Sequence, residues 1–287
     1  MRELKNNRIQ VTFAGENDYT AARFDWCGII REVTLDGKFT FGSSEKPKQE
    51  PRTTLMGLGL CSEFGLEQPL GLDENLDYLM KIGVGEVVRN PDKTSKHTYI
   101  RKNPDLCPNI KSKFTDDTAT FTLAQSSDNG YAYEYEKKIV IIDNTIEIYT
   151  TLKNVGEKFI DTKEYFHNFV NLNDMPVDEN YVMTVNQIPE NWEKAFVGEI
   201  EVEGKTFSFP EKVSHVFYAR ANETNSMTKW TLSHKNSNIS MSETTDTPAT
   251  RFATWGLGHV YSCELFTDVK IATGETYNNK RTFKFDC

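Results

Sequence analysis

The sequence predicts an all-β chain, folded as one large antiparallel β-sandwich over residues 1–287, and three observations carry the prediction. The clearest is a hairpin: residues 138–142, the turn Asp143-Asn144, then residues 145–152. In its second arm Ile146, Ile148, Thr150 and Leu152 fall on one face, while Glu147, Tyr149 and Lys153 fall on the other. That is the period of a pleated strand with one buried face. Second, turn residues punctuate β-prone runs, as in Asp36-Gly37, Glu203-Gly204, Asn236-Ser237-Asn238 and Thr273-Gly274-Glu275. Asp-Gly between two such runs signals a hairpin, because the tight turn needs residues that accept positive φ. Third, strand patterns do not alternate with helical ones and no fixed-period repeat occurs, which excludes parallel βαβ folds and propellers.

The elements follow in order. Residues 1–22 are polar and read as an opening edge strand and a loop. Residues 23–30 lead into a strand over 31–35, the Asp36-Gly37 turn and a return over 38–41. A solvated loop rich in Ser, Lys, Glu, Pro and Gln covers 43–53. Residues 55–85 are Gly-rich, with few β-branched side chains before Ile82 and Val84. Within them 73–80 reads as a short helix with Asp73 near its start. The whole segment reads as a long excursion beside the sheets, the kind of loop that carries function when a rigid scaffold holds it. From Lys96 onward the pattern stays β. Residues 118–123 and 131–136 alternate, and Asn154-Val155-Gly156-Glu157 turns the chain into a strand containing His167. Further strands are expected near 180–187, 196–209, 213–219, 228–234, 238–243, 250–256, 259–271 and 280–286.

Composition removes several function classes. The net charge of -9, from 33 basic and 42 acidic residues, leaves no cationic surplus for a phosphate backbone, so no nucleic-acid partner is expected. A neutral small molecule is untouched by that argument. The cysteines, at 27, 61, 107, 263 and 287, form no C-x-x-C pair and read as reduced thiols of a cytoplasmic protein. The opening Met-Arg-Glu-Leu-Lys-Asn-Asn lacks the apolar core of a signal peptide, and no apolar run is long enough to span a bilayer, so no membrane partner is expected. Phosphate-binding loops, H-E-x-x-H and G-x-S-x-G are absent, and Gly57-Leu58-Gly59 lacks a correctly placed third glycine. The histidines, at 97, 167, 215, 234 and 259, are widely spaced. Neither a metal nor a cofactor is expected.

One run mixes aromatic and polar groups: Tyr165-Phe166-His167-Asn168-Phe169-Val170-Asn171-Leu172. On a strand His167 shares a face with Tyr165, Phe169 and Asn171, and Phe166, Asn168 and Val170 take the other. Aromatic faces stack on the C–H side of a sugar while amide and imidazole groups bond its hydroxyls. The plain alternative is a core histidine satisfied by a backbone carbonyl. In Tyr261-Ser262-Cys263-Glu264-Leu265-Phe266, Glu264 shares a face with Ser262 and Phe266. A glutamate in an apolar strand is unfavourable unless it is paired or functional; the alternative is a surface glutamate on a half-exposed sheet.

These stretches resemble the aldose 1-epimerase, or galactose mutarotase-like, family. His167-Asn168-Phe169-Val170-Asn171-Leu172 is similar to the family's strand in which His is closely followed by Asn-Leu. Tyr261-Ser262-Cys263-Glu264, then Ala272-Thr273-Gly274-Glu275 and a last strand ending Thr282-Phe283-Lys284-Phe285, looks like its closing segment. Residues 26–37 look like its opening hairpin. The resemblance implies a galactose mutarotase-like supersandwich that interconverts the α and β anomers of a small sugar. In that role Glu264 is the base at the anomeric hydroxyl and His167, protonated, the acid at the ring oxygen. Ordinary pKa values of about 4.3 and about 6.5 put both near useful states at neutral pH. Phe169 and Trp255 are candidates to stack on the sugar, and Asn171 to bond it.

The chain departs from the family in places. Lys81 stands where the family's upstream His-Gly motif has histidine, Glu63 lies roughly where its clasping arginine is expected, and Leu265 replaces the usual proline. The resemblance is therefore to a divergent branch, and Lys81 and Glu63 imply a different substrate charge or hydroxyl pattern, such as an acidic or modified sugar. Two other readings stay open: a non-catalytic carbohydrate-binding protein, and a sugar lyase or hydrolase on the same fold. A monomer or homodimer suits each of them.

Overall fold

The computed structural model describes the chain apart from residues 1, 16–17, 47–56, 75, 92–98, 189–191, 195–199, 223 and 225. Among the described residues, secondary structure is almost entirely strand, the one exception being a 3-10 turn at Leu72–Glu74. No described helix is long and apolar enough to cross a membrane.

Two ten-stranded antiparallel sheets face each other. The first runs Glu3–Lys5, Ile9–Phe13, Ile30–Leu35, Leu60–Phe64, Ile160–Asn168, Val260–Ile271, Arg251–Leu257, Phe217–Ala221, Trp192–Lys194, with Phe39–Phe41 attached to Ile30–Leu35. The second runs Glu201–Glu203, Thr206–Ser208, Tyr181–Val185, Met227–His234, Ser240–Ala249, Thr276–Asp286, Thr145–Asn154, Ala132–Ile142, Thr118–Ser126, Lys111–Phe114. A small sheet of Leu79–Lys81, Gly85–Arg89 and Tyr99–Arg101 stands beside them. This is the all-β antiparallel sandwich that the alternation predicts.

Alternation also decides what each sheet buries. Along Ala132–Ile142 every second residue from Tyr133 is buried and those between are exposed or half-exposed. The facing rows of the two sheets meet in one core, where the Phe166 and Phe283 rings lie 5.4 Å apart and Phe41 and Phe285 5.0 Å apart.

Charged side chains interrupt that core. Lys137 occupies an inward position between Tyr135 and Ile139, and its Nζ donates to Asp25 Oδ2 at 2.6 Å, Cys27 O at 2.8 Å and Ser62 Oγ at 2.7 Å. Arg281, inward in the last strand, bonds Glu243 Oε1 at 2.5 Å and Glu164 Oε2 at 3.1 Å. A buried charge survives only when paired and hydrogen-bonded, as both of these are.

Several local expectations are corrected. The helix expected over 73–80 is the turn Leu72–Glu74 followed by strand Leu79–Lys81, because Met80 pairs with Glu86 in the small sheet. Residues 1–22 supply two paired strands rather than one. The strand expected over 196–209 begins outside the described residues and continues as a hairpin, Glu201–Glu203 against Thr206–Ser208, turning at Gly204 with φ 56°. The loop expected over 43–53 lies largely outside the described residues.

Candidate active site

The site lies on the outer face of the first sheet, where its central ladder opens. Ile160–Asn168 and Val260–Ile271 pair regularly as far as Glu164 opposite Thr267. They meet again at Val170 opposite Tyr261, with both backbone bonds made, at 2.9 and 2.8 Å. The register is the same at both ends, so His167 stands opposite Glu264, and the imidazole Nε2 lies 3.2 Å from Glu264 Oε1.

In the gap, side chains take over the ladder's bonds. Asn168 Nδ2 donates to Cys263 O at 2.6 Å, and its backbone N–H to Ser262 Oγ at 3.2 Å. Arg281 Nη2 reaches from the other sheet to Leu265 O at 3.1 Å. Buried backbone groups need partners, and these replacements let the strands part without leaving Cys263 and Leu265 unpaired.

Because paired residues share a face, the register lays out rows across the sheet. The middle row is Ala253, Glu264, His167 and Cys61, with a small residue at each end. One flanking row is Trp255, Ser262 and Phe169; the other is Arg251, Phe266, Tyr165 and Glu63. Phe169 stacks on the imidazole, with centroids 4.0 Å apart and planes 12° apart, while Phe24 and Trp255 meet it edge-on at 5.7 and 5.5 Å.

Phe24 and Arg23 arrive on a loop that Asp25 anchors. Asp25 accepts from Lys137, Tyr135 and Ser62 and caps the Cys27 N–H. Arg23 packs over Phe24, donates to Glu63 Oε2 at 3.1 Å and approaches the Tyr165 hydroxyl at 3.3 Å.

Burial sets the proton affinities. It pushes the Glu264 carboxyl up to about 7, against the opposing pull of Arg23. Burial, and then Arg23, hold His167 well below the usual imidazole range. The expectation that both groups keep ordinary values is thereby corrected: both are 4% exposed, and a low-polarity surrounding disfavours each charged form. Ser262 donates to Glu264 Oε1 at 3.0 Å, and the imidazole Nδ1 has no partner among the described residues.

The other expected site residues divide. Trp255 is half-buried at the edge of the imidazole. Phe169 is fully buried, so it supports the imidazole and presents no free face to a sugar. Asn171 donates its amide to Met175 O and His259 O, which fixes the loop. Lys81 and Glu63 do not face a ligand: their side chains are 1% and 0% exposed and bond each other at 2.5 Å. Lys81 also donates to Arg23 O, and Glu63 accepts from the Tyr165 hydroxyl at 2.5 Å. Burial raises the Glu63 carboxyl, but Lys81 and Arg23 outweigh it and hold the group below its ordinary range. Arg23 is the residue that sequence reasoning passed over; no strand pattern marks it, and only the folded loop brings it to the pair.

No protein-family profile matches the chain, and no curated protein matches it in sequence. Solved structures do. A galactose mutarotase-like protein from Lactobacillus casei ATCC 334 superimposes with a TM-score of 0.64 at 12% identity, covering 99% of each chain. Another from Clostridium acetobutylicum gives 0.62 at 11% identity, over 99% of this chain and 94% of that one. A galactose mutarotase/aldose epimerase homologue from C. elegans gives 0.52 at 11%, over 99% and 97%. The fold is therefore that of the galactose mutarotase-like proteins.

Proposed function

We propose that the chain is an aldose 1-epimerase-type isomerase that interconverts the anomers of a small sugar. The observation that supports it most is the 3.2 Å contact between imidazole and carboxyl on the open ladder of a mutarotase-like sheet. Ring opening removes the proton of the anomeric hydroxyl and delivers one to the ring oxygen. Glu264 is the group that takes the first and His167 the group that gives the second.

The pair then carries one proton in all. Burial leaves it on Glu264, and transfer across the contact to Nε2 creates the carboxylate base and imidazolium acid together. The sugar separates the two groups, and reclosure on the other face of the carbonyl returns the proton. The aldehyde is the intermediate, no bond to the protein forms, and the proton balance is zero over a turnover. Each group contributes roughly a hundredfold to ten-thousandfold.

The test is anomeric exchange by NMR across neutral and acidic monosaccharides, wild type beside Glu264→Gln. Faster exchange in the wild type alone supports the reading; equal exchange by a folded Gln variant sinks it. A second reading, carbohydrate binding without turnover, is favoured by the small exposure of the pair. It predicts a ligand-dependent rise in melting temperature with no exchange.

A further inference from the structure

The same face carries a second charged group that the proton transfers do not use. Arg251 stands opposite Phe266, two residues along the strand from the Ala253–Glu264 pair, about 7 Å away. Arg220 stands opposite Ala253 on the next strand out. By pairing, both project on the side of Glu264. Arg251 is 6% exposed and lies 4.5 Å over the Phe266 ring. Its Nη2 donates to the Tyr218 hydroxyl at 3.2 Å and its Nη1 pairs with Glu67 Oε1 at 2.8 Å. Its Nε is buried and has no partner among the described residues. Arg220 Nη1 is 4.0 Å from the same Glu67 oxygen.

Glu67 is the exposed member, at 43% of its side chain. It sits on a loop that leaves the Leu60–Phe64 strand at Gly65, whose φ of 70° favours glycine. Leu66 of that loop packs on the cluster of Tyr165, Ala253 and Phe266, and a cavity of about 40 Å³ lies among Leu66, Glu67, Lys163 and Arg251. A buried guanidinium held by an exposed carboxylate is a replaceable pair, because a partly solvated ion pair contributes little. Two guanidiniums around one oxygen match a carboxylate or phosphate that brings more oxygens, since each can bond in a fork. Arg23 and Lys81 both pair with Glu63 nearby. In a chain of net charge -9, guanidiniums grouped in this way are what draws an anionic ligand.

We infer that the sugar taken by this site is acidic, and that Arg251 and Arg220 hold its anionic group where the Glu67 carboxylate now lies. The inference rests on the reading of His167 and Glu264 as the sugar site. It keeps the acidic substrate expected from Lys81 and Glu63 but moves its recognition to the half-exposed Arg220 and to Arg251, which lies behind the exposed Glu67. Arg251 lies about 7 Å along the strand from the Ala253–Glu264 pair, a separation that a hexose with its anomeric carbon at Glu264 can span. A carboxylate and a phosphate ester share this chemistry.

The test uses the full chain with D-glucose 6-phosphate, D-glucuronate and D-glucose as probes, by anomeric exchange and by melting temperature. The expected result is a KM for one acidic sugar at least tenfold below that for glucose; which acid it is tells phosphate from carboxylate. Glu67→Gln removes the competing carboxylate and is expected to lower the acidic-to-neutral KM ratio several-fold. Arg251→Gln is expected to raise it. Exchange of glucose as good as that of either acid, with a ratio indifferent to Glu67→Gln, overturns the inference and leaves the epimerase reading standing. No exchange of any sugar, but an acid-specific rise in melting temperature that Glu67→Gln enlarges, does the reverse. Neither exchange nor shift removes both.

Discussion

His167 and Glu264 face each other across one rung of an antiparallel ladder, 3.2 Å apart, where the two strands no longer pair through their backbones. The register alone makes them neighbours. The opening frees them from a regular ladder, because side chains from both sheets satisfy the carbonyls that the parted strands release. Both consequences bear on how protons sit in the pair.

The first concerns the pH profile. The working state holds one proton, so kcat/KM is expected to be bell-shaped, reporting the pair in the free enzyme. The alkaline limb should fall near pH 7, where Glu264 loses its proton, and the acid limb well below 6.5, where His167 gains a second one. Initial rates of mutarotation between pH 4 and 9 trace both limbs, and a profile with a single limb overturns the one-proton working state.

Arg23→Gln should move that profile. The guanidinium lowers both members of the pair, so its removal lets both rise. Both limbs are expected to shift to higher pH. A variant that loses rate with unshifted limbs would show that Arg23 acts only through packing against Phe24 and Tyr165.

Glu264 also links stability to pH. Its folded pKa of about 7 stands above the ordinary 4.5, so the folded state prefers the protonated form. The stability gained is full below about 4.5 and is lost as pH rises to about 7, by roughly 3 kcal/mol in all. Glu264→Gln should therefore be more stable than wild type at pH 8 and lose the advantage near pH 4. Urea unfolding at the two values checks the sign.

Arg281→Met should unfold the protein more readily than any change at the pair. It leaves Glu164 and Glu243 buried without their shared cation, which costs about 3–5 kcal/mol, and it frees Leu265 O. The urea midpoint is expected to fall, with mutarotation measured at low denaturant reporting whether the opened ladder also closes.

Legibility of the site differed by residue. His167 and Glu264 stood out because each breaks the apolar pattern of its strand. Trp255 was a stacking candidate from the sequence, but only the register of its strand puts it on the face of the pair. Lys137 left a signal that went unread: it occupies the inward phase of Tyr133, Tyr135 and Ile139. Lys81 and Glu63 were legible as departures from a family pattern, but their pairing with each other was not, since they come from different strands, 18 residues apart. Arg23, Arg220 and Arg251 carry no mark along the chain.

The sequence by itself determined the all-β class and most of the strands, because strand period, turn residues and inward-facing side chains are local properties. It also determined which groups are out of place in an apolar strand. Only the tertiary structure decided the partners of those groups. Register between strands about a hundred residues apart set His167 against Glu264, and burial on the outer face against Phe24, Phe169 and Trp255, which no local pattern contains, raised one proton affinity and lowered the other.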